Sequence, residues 1–183
     1  ILLIEAALTA LQQAPGLGRQ FALEGWADFD QELWEQECDR ARTRQREPHT
    51  LPPIVGFEQD PDIAAQARDN IRAAGLEACI TIRTGDFLDQ SLPESPGVLV
   101  CNPPYGHRIG DEQQLEALYR DLGTYAKQNA AGWQLWLLSG NRSLTGALRL
   151  KASKRIPVSN GGIDCRWLHD GLRAPSTEQA ATP

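Results

Sequence analysis

The chain has 183 residues, a formal charge of −6 and 41% hydrophobic residues, values that suit one α/β domain with a single core and exclude a disordered or fibrous polymer. No apolar run approaches the roughly 20 residues needed to span a bilayer, so no membrane helix is expected. A protein that grips nucleic acid through phosphates alone is usually basic, so the negative balance argues against phosphate contacts as this chain's main source of affinity for any partner.

The first apolar helix face is Leu2, Leu3, Ile4, Ala7, Leu8 and Leu11, expected to end near Pro15-Gly16. A second helix is expected from about Phe29 to Arg46, closing in the basic alternation Arg40, Arg42, Arg44, Arg46. Pro48, Pro52 and Pro53 mark a loop, and Ile54-Val55-Gly56-Phe57 reads as a buried strand. Asp60-Pro61 starts a helix, with Asp60 as N-cap and Pro61 in the first turn. That helix carries Ile63, Ala67, Ile71 and Ala74 on one stripe and stops at Gly75.

Strands are expected at Cys79–Ile82 and Gly97–Cys101, then a long helix from about Asp111 to Asn129. Trp133 to Leu138 reads as a strand and Ser143 to Leu150 as a short helix. Ala152–Val158 and Ile163–His169 form an antiparallel pair joined at Ser159-Asn160-Gly161-Gly162. The tail, residues 174–183, is small and polar and is expected to be flexible. Strands separated by helices imply a mostly parallel sheet covered on both faces, with a hairpin at its end. Ligands of such sheets sit at the carboxyl ends of the strands.

Three strand ends carry chemistry. The strand at Gly97–Cys101 runs into Asn102-Pro103-Pro104-Tyr105-Gly106. Consecutive prolines stiffen the backbone and remove two N–H donors, leaving acceptors. The Asn102 side-chain oxygen and the Pro103 carbonyl suit the two hydrogens of an amino group, and accepting both would orient its lone pair toward an electrophile. Tyr105 offers a face on which a base can stack, worth about 1–3 kcal/mol. The strand at Ile54–Phe57 ends in Glu58, whose carboxylate suits both hydroxyls of a nucleoside ribose. Gly85-Asp86-Phe87 follows the strand at Cys79–Ile82: Asp86 is either an acceptor for an adenine amino group, with Phe87 packed on the ring, or a solvated turn aspartate.

Cys38, Cys79, Cys101 and Cys165 form no C-x-x-C pair, which argues against a structural zinc site. Free thiols in a reducing, cytoplasmic setting are expected, and no metal is expected to be needed. His107 and Arg108 read as a phosphate contact or as a surface loop. Arg40 to Arg46 reads as an RNA-facing strip or as a solvated helix face.

Together these stretches resemble the class I methyltransferases, with their Rossmann-like sheet, and the Asn102 to Tyr105 motif resembles the signature of the amino-group enzymes among them. Leu3-Ile4-Glu5-Ala6-Ala7, Ala14-Pro15-Gly16 with a Trp-bearing inserted helix (about 28–47), and Asn160-Gly161-Gly162-Ile163-Asp164-Cys165 look like the bacterial 23S ribosomal RNA guanine-N2 methyltransferases. That subfamily usually carries an N-terminal THUMP RNA-binding domain. The resemblance covers Leu2 to about Leu168. It implies a catalytic domain over residues 1–173 and S-adenosylmethionine as cofactor. Glu58 would hold the ribose, Asp86 and Phe87 the adenine, and Asn102, beside the cofactor, would act with Pro103, Pro104 and Tyr105 on the target base. Transfer would be direct, from the sulfonium methyl to guanine N2 of ribosomal RNA, by positioning rather than covalent catalysis.

The family's Gly-rich loop precedes the Leu-Ile-Glu-Ala-Ala helix, whereas this sequence opens inside that region and has no Met. A chain lacking its first strand and that loop is therefore expected, with an RNA-binding domain upstream. Two further readings stay open: an N6-adenine (DNA or RNA) or protein-glutamine N5 methyltransferase, and a non-catalytic remnant that binds RNA or protein.

Overall fold

The computed structural model describes residues 1–94, 96–105 and 112–173. It divides into two compact units, Ile1–Gln90 and a second that begins at Ser91; each is taken by itself.

The first unit is built on a right-sized βαβ element. Helix α1 (Leu2–Ala10) precedes α2 (Gln31–Arg44), β1 (Ile54–Glu58), α3 (Pro61–Ala73) and β2 (Ile80–Thr84). β1 and β2 are parallel, with Ile54 opposite Ile80 and Glu58 opposite Thr84, the pairing a helical crossover permits. α3 begins as its sequence dictates: the Asp60 side chain accepts from the N–H groups of Asp62 and Ile63. It ends in a Schellman turn, with Gly75 at φ 69°, Leu76 N bonded to Ile71 O and Gly75 N bonded to Arg72 O. Ile71 and Leu76 then join Ala7, Leu11, Cys79 and Ile80 in one buried cluster.

α1 stops earlier than Pro15-Gly16. Gln13 N reaches Leu8 O and Gln12 N reaches Thr9 O, the same motif, with Gln12 at φ 55° in the place glycine usually takes. The inserted helix α2 buries none of its residues. An edge-to-face contact between Phe21 and Trp34, centroids 5.7 Å apart, ties it to the preceding loop. The basic alternation is partly neutralised within the helix, since Arg40 pairs with Glu37 and Arg42 with Asp39.

The second unit contains β3 (Val98–Cys101), α4 (Glu112–Asn129), β4 (Gln134–Ser139), α5 (Arg142–Ala147), β5 (Lys154–Asn160) and β6 (Ile163–Gly171). Its sheet runs β3-β4-β6-β5: β3 and β4 are parallel, and β6 is antiparallel to both of its neighbours. The hairpin turn has Gly161 and Gly162 at φ 58° and 82°, the left-handed pair of a type I′ turn. α4 buries Leu115, Tyr119, Leu122, Tyr125 and Ala126, the stripe its sequence spells. Ala126, Ala130, Trp133, Leu135 and Leu172 pack together, with Leu99 and Cys101 of β3 against them.

Among the described residues β1 pairs with β2, and β3, β4, β6 and β5 pair in that order, which gives the expected mixed α/β fold with parallel pairs and a C-terminal antiparallel hairpin. At β3, Leu99 and Cys101 pack inward while Val98 and Val100, on the opposite face, are 57% and 50% exposed. Among the described residues no helix is long and apolar enough to cross a membrane. Residues 106–111, with His107 and Arg108, and the tail from Ala174 lie outside the described residues.

Candidate active site

In the first unit the carboxyl ends of β1 and β2 stand side by side, because Gly85 N donates to Glu58 O at 2.9 Å. Gly85 has φ 138°, a conformation that L side chains rarely adopt, and it turns the chain so that Asp86 follows β2 directly. Glu58 is half-buried, and its Oε1 accepts from Asp60 N at 3.0 Å. Asp86 is exposed and caps the short 3₁₀ turn Phe87–Asp89 through Leu88 N at 3.0 Å. A carboxylate offers about four acceptor sites, so each residue can accept further hydrogen bonds. Two acidic acceptors at adjacent strand ends, with Phe87 half-buried beside them, form a donor-seeking surface of the chemistry that a nucleoside's hydroxyls and amino group require.

In the second unit, Asn102 follows β3 and is exposed, while Pro103, Pro104 and Tyr105 are half-buried. Tyr105 is fixed from a distant part of the chain: Asn160 Nδ2 donates to its hydroxyl at 2.7 Å, across 55 residues. A hydrogen bond with Cys165 pushes the Tyr105 phenol above its ordinary range, against the lowering effect of Asn160, so the ring is neutral at physiological pH. Gly140, directly after β4, makes room for it. A Cβ there would lie 3.0 Å from the Tyr105 ring and 3.2 Å from both Cys165 Sγ and Ile163 Cγ2.

Behind this lies a small polar core. Buried Tyr119 donates to Ser139 Oγ at 3.3 Å, and Ser139 Oγ accepts from Asn141 N and donates to Asn141 O. Burial raises the Tyr119 phenol, and it pushes the thiol of Cys101, which packs against the α4 core, up to about 11. Neither is suited to deprotonation near neutrality. Among the described residues no group of three or more His, Cys, Asp or Glu side chains is arranged to hold a metal ion.

Glu58, Asp86 and Phe87 are therefore neighbours in one unit, and Asn102 to Tyr105 form a tethered turn in the other. Sequence reasoning did not assign Asn160, Cys165 or Gly140 a part in holding Tyr105. Asn160 and Cys165 were visible only as part of the closing motif. Gly140 was findable in principle, as a glycine at the carboxyl end of a parallel strand.

A parallel-stranded, helix-covered chain with an Asn-Pro-Pro-Tyr turn at a strand's carboxyl end defines a methyltransferase-like α/β domain. Residues 1–169 match the family UPF0020, RMKL-like, methyltransferase domain, and the chain belongs to that family. It is 38% identical over 182 residues to the ribosomal RNA large subunit methyltransferase K/L of Marinomonas sp. (strain MWYL1), covering 97% of this chain and 25% of that one. The corresponding protein of Shewanella amazonensis is 37% identical over 180 residues, again 97% of this chain and 25% of the relative. The chain thus spans about a quarter of these relatives' length.

Among solved structures, SMU.472 complexed with SAH superposes with a TM-score of 0.83 at 29% identity, over 94% of this chain and 45% of that one. A predicted N6-adenine-specific DNA methylase from Listeria monocytogenes gives 0.77 at 28%, over 94% and 43%.

Proposed function

We propose that this chain is the methyl-transferring part of an S-adenosylmethionine-dependent enzyme that methylates an exocyclic amino group of a nucleobase, guanine N2 of large-subunit ribosomal RNA. The observation that carries it is the Asn102–Tyr105 turn, an acceptor-only proline corner at a strand end with its aromatic ring tethered by Asn160. The RNA substrate is supported by the ribosomal RNA methyltransferases to which the chain is similar. The cofactor is supported by the SAH bound in SMU.472 and by the paired acceptors at the ends of β1 and β2.

In this reading Glu58 accepts from the ribose hydroxyls, Asp86 accepts from the adenine amino group, and Phe87 packs on the adenine ring. When bound, S-adenosylmethionine supplies a methyl group on a positively charged sulfur. Asn102 Oδ1 and the Pro103 carbonyl each accept one hydrogen of the target amine, which holds its lone pair out of conjugation with the ring. Tyr105 stacks on the base. Pro103 and Pro104 keep the acceptors from rotating away, so the gain is orientation and preplaced dipoles rather than acid–base chemistry.

The test is a labelled-methyl assay on the full-length protein with ribosomal RNA, duplex DNA and a release factor as separate substrates. RNA is expected to be labelled at guanine N2. Asn102→Ala is expected to lower turnover by on the order of 100-fold or more, by analogy with loss of one preorganised hydrogen-bonding group. Full turnover in that variant refutes the mechanism, and label confined to DNA adenine or to protein refutes the substrate.

A further inference from the structure

The charge of this chain is unevenly divided. From Ile1 to Asn141 there are 11 Lys and Arg against 21 Asp and Glu, a net −10, whereas Arg142 to Arg173 holds seven basic residues against two acidic, a net +5. The basic stretch is α5 and the β5–β6 hairpin. Its folding gathers charge into one place. Arg155 stands opposite Leu168, and Arg166 lies two residues from Leu168 on β6, so both arginines share one face of the sheet. Arg142 stands across from them on α5, and the three line one groove of about 1010 Å³ between α5 and the sheet.

Among the described residues, none of these three guanidinium groups is in an ion pair, in contrast to Arg40, Arg42, Arg72 and Arg120. Two carboxylates line the groove, Asp164 and Asp170. The charge on Asp170 is also answered by His169, Arg173 and Lys127, which leaves an excess of positive charge. Gly140 and Cys165 also line the groove, and they are the residues that Tyr105 sits against. The groove therefore opens where the proposed target base stacks.

We propose that this groove holds the sugar–phosphate chain of the RNA strand whose base is presented to Asn102–Tyr105, with Arg142, Arg155 and Arg166 on successive phosphates. The inference rests on the reading of Asn102–Tyr105 as the base-binding turn. Planar guanidinium groups match phosphate oxygens two at a time, and a spaced row of them suits a polyanion better than a single small anion. The low overall charge of the chain is no obstacle, because binding depends on the local field rather than the net sum.

The test is fluorescence anisotropy of a labelled single-stranded RNA, titrated with the full chain at several salt concentrations. Every phosphate that no longer meets a cation on the protein should reduce the slope of log affinity against log salt by about 0.7. Arg142→Gln/Arg155→Gln/Arg166→Gln is expected to lower the slope by about 2, so that a fourfold rise in salt costs the parent roughly 20-fold more affinity than the variant. Arg40→Gln/Arg42→Gln/Arg44→Gln removes the same charge from α2 and should keep the parental slope. Should the groove variant lose its circular-dichroism signal, the single Arg155→Gln, at an exposed strand position, carries the test at one third of the scale.

Equal slopes for the groove variant and the parent overturn the proposal, as does an equal fall in the α2 control. Polyglutamate should compete poorly; competition as strong as that of RNA overturns it in favour of an acidic protein partner. S-adenosylmethionine titration and the Asn102→Ala assay report on the base-binding turn independently. Retained slope with Asn102-dependent turnover sinks only the groove, and a reduced slope with Asn102-independent turnover sinks only the turn.

Discussion

Replacing Gly123 with alanine sets two effects of known size against each other. Gly123 is buried in the middle of α4, where helix propensity alone favours Ala over Gly by about 0.8–1.0 kcal/mol. The added Cβ, however, would meet the backbone of Leu148 just past α5, at 2.1 Å from its carbonyl oxygen, 2.8 Å from its carbonyl carbon and 3.0 Å from Cα. Backbone cannot rotate aside as a side chain does, so the end of α5 must move away by about 1 Å. Overpacking of this kind costs about 1–3 kcal/mol. Leu144 and Leu148, 2% and 5% exposed, would be drawn partly out of the core, at about 1 kcal/mol for each if half their burial is lost. The losses exceed the propensity gain, and Gly123→Ala is expected to destabilise the second unit by about 2–4 kcal/mol. Urea unfolding followed by tryptophan fluorescence measures it. With Trp26 and Trp34 replaced by Phe, the remaining Trp133, Trp136 and Trp167 all report on that unit. An unchanged or higher midpoint would refute the close approach of the two elements.

Asn160→Ala removes the donor to the Tyr105 hydroxyl; a hydrogen bond worth about 0.5–1.5 kcal/mol predicts a roughly 2- to 12-fold fall in kcat/KM for RNA, with S-adenosylmethionine affinity unchanged by calorimetry. Because Asn160 lowers the Tyr105 pKa, the same variant should move the phenol's absorbance titration to higher pH, and a downward shift would contradict the hydrogen bond. Asp170 is pushed up chiefly by burial, against a hydrogen bond from the Lys151 backbone and nearby positive charge. Its folded form holds the proton more tightly than the unfolded form, so its favourable contribution is complete below the unfolded value of about 3.9 and is lost as pH rises through the folded value. Asp170→Asn should accordingly raise Tm at pH 7 and leave it unaltered near pH 3; a gain of the same size at both pH values would point away from ionisation.

What the sequence disclosed depended on whether the deciding contact was local. The start and stop of α3 were legible because Asp60, Pro61 and Gly75 each perform their role within a few residues of themselves. The end of α1 was not, since Gln12 occupies a left-handed position that its side chain does not advertise. α5 runs Arg142–Ala147, stopping short of Leu150 where Arg149 turns left-handed at φ 51°. The candidate turn at Asn102–Tyr105 was visible as a motif, but its tether to Asn160 was not, because no periodicity links residues 55 apart. The basic groove was hidden for a related reason: the net charge of −6 averages over a chain whose folding collects opposite signs in different places.

The order β3-β4-β6-β5 makes the last strand of the sheet an interior one. β5 has no partner until β6 slides in beside β4, and the tether on Tyr105 comes from that same hairpin. During synthesis at about 5–20 residues per second, the proline corner therefore waits roughly 3–11 s for the asparagine that steadies it. A nascent chain halted before the hairpin would display the motif and lack its anchor, so the Tyr105 ring is held in place only once the final strand docks.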